Sequence, residues 1–262
     1  MTLDGTRAFI IGGERPVVVD PGPDIAEHLD AIVGALGDAR PVAILLTHAH
    51  PDHAAAAPAL RERTGAPVMM APGALAMPFA PEAVDRWLRH GETVETDAGS
   101  VQAVATPGHA PEHLSFLWRG TGVAEGERVL MVGDLMMGEG DTTLVMPPEG
   151  DLRAYLHSLA TVATLGARSL LPAHGQPIDD PRAAVTRYVA HREQRITRVA
   201  QALSEGGAAR AGDLLRAVYG DTLHPALRDA ATGSLMAILD FLARTGRAVP
   251  APDGTYTPTQ ST

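Results

Sequence analysis

The chain is predicted to be an α/β protein whose strands end on chemistry-bearing residues. Three observations carry this. Short apolar, β-branched runs recur at 15–19, 42–46, 101–105 and 128–132, and such runs pack as strands buried on both faces. Helix-period stretches lie between several of them, giving the βα alternation of a largely parallel sheet. A His or Asp beside Gly or Pro follows directly on run after run, where α/β proteins place their sites.

Taken in order, residues 6–11 read as a first strand. Residues 15–19 form a second, closed by the turn Asp20-Pro21-Gly22-Pro23. Residues 24–36 are helical. The strand 42–46 then runs into His48-Ala49-His50-Pro51-Asp52-His53. A helix over 54–63 follows, its N-terminal dipole aimed at the motif. Residues 72–99 mix Pro, Gly and polar groups and read as an irregular connection, a lid beside the site. The strand 101–105 leads to Thr106-Pro107-Gly108-His109, the strand 128–132 to Gly133-Asp134, and the strand 169–171 to Pro172-Ala173-His174-Gly175. Residues 135–150 are a second irregular connection. Residues 151–165 form a helix with Asp151 as N-cap and a stripe at Leu152, Leu156 and Leu159.

Residues 181–262 differ in character. Helices are predicted at 181–203, 211–218 and 225–244, with Arg187, Arg192, Arg195 and Arg198 on exposed faces. Short strands flank the turn Pro252-Asp253-Gly254. Three helices and a hairpin resemble a winged-helix α+β unit, so two domains are expected, 1–180 and 181–262. The second carries 10 Arg against 7 acids, net +3, and the first 11 Arg against 24 acids, net −13. An acidic segment 1–180 repels polyphosphate, and +3 over residues 181–262 is a modest attraction for nucleic acid.

Composition narrows the chemistry. There is no Cys, so neither disulfides nor thiolate ligands exist; there is no Lys, which removes Schiff-base chemistry. Four metal-binding side chains fall within the six residues 48–53, and imidazole with carboxylate suits zinc or iron. Further ligand types recur at the later strand ends, enough for two ions about 3.5–4 Å apart sharing a hydroxide. No apolar stretch is long enough to span a bilayer, and the N-terminus at Met1–Gly5 lacks a basic region and a long apolar core. Cytoplasmic residence is therefore expected.

The series THAHPDH, TPGH, GD and PAHG resembles the metallo-β-lactamase superfamily of metal-dependent hydrolases over roughly the first 180 residues. The resemblance implies a four-layer αββα fold, with an edge strand of related proteins missing before residue 6. It implies two Zn2+ per chain: His48, His50 and His109 would hold one, Asp52, His53 and His174 the other, and Asp134 would bridge them. Asp20 would support a ligand from beneath. Asp52 and His113 would be the catalytic groups, Asp52 orienting the nucleophile and His113 lying behind a ligand or beside the substrate. Thr143 and Tyr155 would contact the substrate. A narrower resemblance, in the segment 133–143, in Tyr155–Leu159 and in PAHGQP followed by a helix with His191-Arg192, points to the beta-lactamase-like-protein-2 branch. That branch contains a single-strand endoribonuclease and thioesterases acting on acyl carrier proteins.

The expected function is hydrolysis of an acyl or thioester substrate, small or carrier-bound, by a metal-bridging hydroxide. Single-stranded RNA is the alternative substrate, a β-lactam a third, and a non-catalytic metal-binding scaffold the reading from another class. No membrane partner is expected. The C-terminal unit is expected to cover the active-site cleft or to form a homodimer contact.

Overall fold

The computed structural model describes residues 5–121, 128–140 and 142–259. The readings made at Met1–Asp4 and at Asp141 lie outside the described residues. Strands β1 (Phe9–Ile11), β2 (Val17–Val19) and β3 (Ala43–Leu45) begin the first sheet, with helix α1 (Ala26–Leu36) crossing between the last two. One helical turn, α2 (Pro51–Ala54), and helix α3 (Ala57–Thr64) lead to β4 (Val68–Met70) and β5 (Arg86–Trp87). The second sheet holds β6 (Thr93–Thr96), β7 (Gly99–Ala105), β8 (Leu114–Gly120) and β9 (Arg128–Gly133). Helix α4 (Leu152–Thr164) then leads to β10 (Ala167–Pro172).

Each sheet has five strands, ordered β1-β2-β3-β4-β5 and β10-β9-β8-β7-β6. Pairing is parallel from β2 to β5 and between β9 and β10, and antiparallel elsewhere.

The period-2 alternation of the strands builds four layers. Val17, Val19, Ala43 and Leu45 face the second sheet and pack with Val101, Ala103, Leu114, Phe116 and Met131. Val18, Ile44, Val68 and Met70 point the other way, onto Leu29, Ile32 and Leu36 of α1 and Leu60 of α3. The outer face of the second sheet, with Val104, Leu117, Leu130 and Leu170, is covered by Leu152, Tyr155 and Leu159 of α4. The order is helix, sheet, sheet, helix, as expected.

After β10 come α5 (Pro181–Gly206), α6 (Leu215–Tyr219), α7 (Arg228–Arg244) and a hairpin of β11 (Ala248–Pro250) and β12 (Tyr256–Pro258). Tyr188, Ile196 and Val199 of α5 and Leu235, Ile238 and Leu242 of α7 belong to the same apolar cluster as the outer face of the second sheet. Residues 181–259 thus share one core with that layer. An ion pair between Arg244 and Asp151, the N-cap of α4, joins them at the surface.

Several local expectations are corrected. Residues 72–99 contain β5, β6 and the start of β7, hidden in the sequence because β5 and β6 are largely exposed and carry no apolar alternation. Helical structure begins at Pro51, inside the motif, since Pro at the first helical position needs no N–H partner. Arg192 is buried, 4% exposed, because it falls on the Tyr188, Arg192, Ile196 stripe of α5. Among the described residues no helix is long and apolar enough to cross a membrane.

Candidate metal centre

Four strand ends, those of β3, β7, β9 and β10, open toward one point between the two sheets. The loop after β3 supplies His48, His50, Asp52 and His53; the other three supply His109, Asp134 and His174. Their ligand-type atoms form two groups. His48, His50, His109 and Asp134 make one, and Asp52, His53 and His174 the other, with atoms in each within 4.8 Å of one another. Asp134 stands between them. Its Oδ1 lies 3.3 Å from His53 Nε2 and 3.2 Å from His174 Nε2, and its Oδ2 lies 3.5 Å from His109 Nε2. Asp52 Oδ2 lies 3.5 Å from His53 Nε2 and 3.3 Å from His174 Nε2.

The outward hydrogen bonds fix which nitrogen of each ring faces the centre. Thr47 Oγ1 donates its one hydrogen to Asp20 Oδ2 at 2.7 Å, so it accepts from His48 Nδ1 at 3.0 Å, leaving His48 Nε2 inward. His53 Nδ1 donates to Asp20 Oδ2 at 2.9 Å, His109 Nδ1 to the Leu144 carbonyl at 2.8 Å, and His174 Nδ1 to the Gly5 carbonyl at 2.8 Å. His50 is reversed: Nε2 donates to Glu149 Oε2 at 2.9 Å and Nδ1 faces in. A histidine whose second nitrogen is so engaged presents its first as a ligand.

The inward atoms fit cations. His50 Nδ1 sits 2.9 Å from His48 Nε2 and 3.0 Å from His109 Nε2. Three nitrogen lone pairs this close repel unless positive charge lies among them. On the other side, His53 Nε2 and Asp134 Oδ1 are buried without a hydrogen-bond partner. A buried polar atom left so is costly, and a divalent ion between the two would satisfy both.

Electrostatics describe the same two halves in the metal-free protein. Burial alone would lower His53, but Asp20 and Asp134 overcome it and raise His53 to about 10. Burial likewise opposes, and Asp134 and Asp52 raise, His174 to about 10. Asp52 moves down to about 2, against desolvation, through the His174 hydrogen bond and His53. Asp134 is held well below its ordinary value, again against desolvation, by His174 and His53. His48, His109 and His113 go the other way: burial lowers each, and His113 reaches about 3.

A stability profile follows. The raised groups, His53 and His174, contribute stability that is complete below the unfolded value near 6.5 and is lost as pH rises toward about 10. The depressed histidines contribute stability that is complete above 6.5 and lost as pH falls. Metal-free protein is therefore expected to be most stable near about pH 6.5, declining on both sides. Thermal melts with chelator from about pH 4 to about pH 10 check this, and a curve rising through pH 9 contradicts it.

The structure brings the seven expected metal-binding residues together. Asp20 lies beneath them as expected, with φ 49°, its Oδ1 accepting from the Thr47 backbone N–H at 2.8 Å. His113 is not placed to touch substrate: it is 1% exposed, and both ring nitrogens are engaged. Nδ1 pairs with Thr106 Oγ1 at 2.9 Å, and Nε2 accepts from the Asp134 backbone N–H at 3.2 Å, so His113 positions Asp134. Gly133 makes that approach feasible; it has φ 50°, and a Cβ there would stand 2.7 Å from His113 Nε2.

Tyr155 is also corrected. It is fully buried, its hydroxyl donates to the Leu135 carbonyl at 2.9 Å, and its ring underlies Arg192. Its burial follows from the Leu152, Tyr155, Leu159 spacing of α4. Thr143 is 4% exposed, and its carbonyl accepts from Arg192.

Sequence reasoning missed Thr47, Glu149 and Glu112. Thr47 could have been found as the hydroxyl residue leading into the motif. Glu112 Oε1 accepts from the Ala49 backbone N–H at 2.9 Å and steadies the loop between His48 and His50. Glu149 carries no local signal, since it meets His50 only through the fold.

Comparison with known proteins agrees with this geometry. Residues 1–174 match the family model of the metallo-beta-lactamase superfamily. The Beta-lactamase-like protein 2 homolog of Caenorhabditis elegans is 30% identical over 255 residues, covering 94% of this chain and 81% of that protein. A metallo-beta-lactamase family protein from Thermus thermophilus superposes with TM-score 0.74 at 23% identity, covering 99% of this chain and 100% of the other. The protein TTHA1623, solved in a di-iron-bound form, is 30% identical with TM-score 0.52, covering 66% of this chain and 89% of that one. This chain therefore belongs to the metallo-beta-lactamase superfamily, as a metal-dependent hydrolase of the beta-lactamase-like protein 2 branch.

Proposed function

We propose that the chain is a binuclear zinc hydrolase acting on an acyl or thioester substrate. The observation that carries the binuclear reading is Asp134, whose two oxygens are divided between two ligand groups. Five histidines and two carboxylates, with no thiolate, suit zinc; iron in TTHA1623 makes metal identity part of the test. When bound, the ions would supply a hydroxide at neutral pH and polarise the substrate oxygen.

The chain's own residues set the direction of attack. His50, Asp52 and Glu149 are the open side of the centre, with side chains 30%, 30% and 31% exposed, while His53, His109, Asp134 and His174 are at most 9% exposed. Substrate enters on that side. Asp52 Oδ2, fixed by Thr6 Oγ1 at 3.1 Å, accepts a hydrogen bond from the attacking water and orients it.

The substrate class rests on charge. The entrance carries Asp52 and Glu149, within residues 1–180 of net −13. This field favours a neutral acyl centre over a phosphodiester backbone.

Elemental analysis with a four-substrate panel tests the proposal. The panel is an acyl thioester, bis-p-nitrophenyl phosphate, single-stranded RNA and a chromogenic β-lactam. Expected are about two zincs per chain and thioester turnover that varies little with salt. RNA cleavage with steep salt dependence would replace the substrate reading. One ion or none would end the binuclear one.

A further inference from the structure

Arg192 is a buried guanidinium on α5, 4% exposed, and no carboxylate partners it among the described residues. One hydrogen bond from Nη2 reaches the Thr143 carbonyl, its Nε has no partner, and it stacks 4.8 Å over the Tyr155 ring. Burying a charge with so little compensation is costly, so what it holds matters. It holds the Thr143 end of the segment 143–149. The next carbonyl, that of Leu144, accepts from His109 Nδ1, and Glu149 accepts from His50 Nε2. Met146, between them, lies against Gly233 of α7, where a Cβ would come within 2.1 Å of its Sδ.

Two of the three histidines in one ligand group are thus oriented by a segment that the C-terminal helices clamp. The other group is not. His53 is oriented by Asp20 and His174 by the Gly5 carbonyl, both far in sequence from that segment.

We propose that Arg192 is a positioning residue for the His48, His50, His109 set alone. Through it, residues 181–262 govern retention of one of the two ions. The inference rests on the binuclear reading above. It gives the C-terminal unit a task at the centre itself, separate from any role in covering the cleft.

The test is a stepwise chelator titration of the full, metal-loaded chain. Two control variants assign the two release steps: Glu149→Gln touches only the His50 side, and Thr6→Val only the Asp52 side. Arg192→Met removes the donor, and Arg192→Lys keeps a cation with a shorter reach. In Arg192→Met the step shifted by Glu149→Gln is expected to weaken by up to about 10-fold, the low end of the loss seen for a direct partner of a metal-binding histidine, because Arg192 acts one contact further out. The step shifted by Thr6→Val is expected to stay within about twofold, and Arg192→Lys to fall between wild type and Arg192→Met. Equal weakening of both steps, or of neither, would overturn the proposal. So would loss of fold in both Arg192 variants, which would assign Arg192 to global stability. Wild-type protein that releases fewer than two ions would instead sink the binuclear reading, so the two failures are distinct.

Discussion

Asp134→Ala is expected to leave a folded protein holding at most one ion and turning over its substrate on the order of 10³-fold more slowly or worse. Among the described residues Asp134 is the one carboxylate that faces both groups, and its backbone N–H is pinned by His113. Removing it leaves His53 Nε2 and His174 Nε2 without the carboxylate oxygen that faces both. Both ions would lose a ligand, so the loss of metal exceeds that of any change confined to one group. Asp52→Ala is the informative companion. It strips one group and leaves the three-histidine set intact, so one retained ion with similarly deep loss of turnover is expected. Metal content by elemental analysis and steady-state kcat/KM, measured together, check both. Near-normal turnover in either variant contradicts the mechanism.

The second large effect is expected at Asp20, which touches no ion in the proposed arrangement. Its carboxylate receives the Thr47 backbone N–H, the Thr47 hydroxyl and His53 Nδ1, all buried. Asp20→Ala strands those donors, and breaking a buried charged pair in this way costs about 3–5 kcal/mol. It also places a Cβ-bearing residue without a local polar side chain at φ 49°. Asp20→Asn keeps the shape and tolerates that backbone, so it is expected to lose less stability in the metal-free protein. Both variants remove the charge that raises His53. Their loss relative to wild type should therefore shrink as pH rises toward about 10, where the wild-type contribution itself disappears. Chelator-treated melts of the three proteins at several pH values decide this. A loss that grows with pH would show that His53 is not the coupled group.

The centre was largely readable in the chain because its chemistry is concentrated where strands stop. Val42 to Leu46 ending on His48, and Val129 to Val132 ending on Asp134, need only local patterning to interpret. Layering was readable for the same reason: Val17 and Val19 face one way and Val18 the other. What escaped was set by contacts between distant segments. The Leu144 carbonyl behind His109 and the Gly5 carbonyl behind His174 are main-chain atoms that no side-chain pattern announces. Glu149 acquires its role across 99 residues. Arg192 and Tyr155 were misjudged by residue type where helical periodicity would have buried both. β8 lies outside the expected strands, although its run from Leu114 to Trp118 is apolar and aromatic enough to mark one.

The hexapeptide from His48 to His53 divides its donors between the two groups, His48 and His50 to one, Asp52 and His53 to the other. Neither group can close locally, because each waits for residues from β7, β9 or β10. During synthesis the hexapeptide emerges long before His174, so any early ion can meet only a mismatched quartet. Native coordination becomes available once both sheets have docked, which makes occupancy a late event along a high-contact-order route. Loss of bound metal would then remove a restraint reaching from His48 to His174, and stability would depend on metal supply.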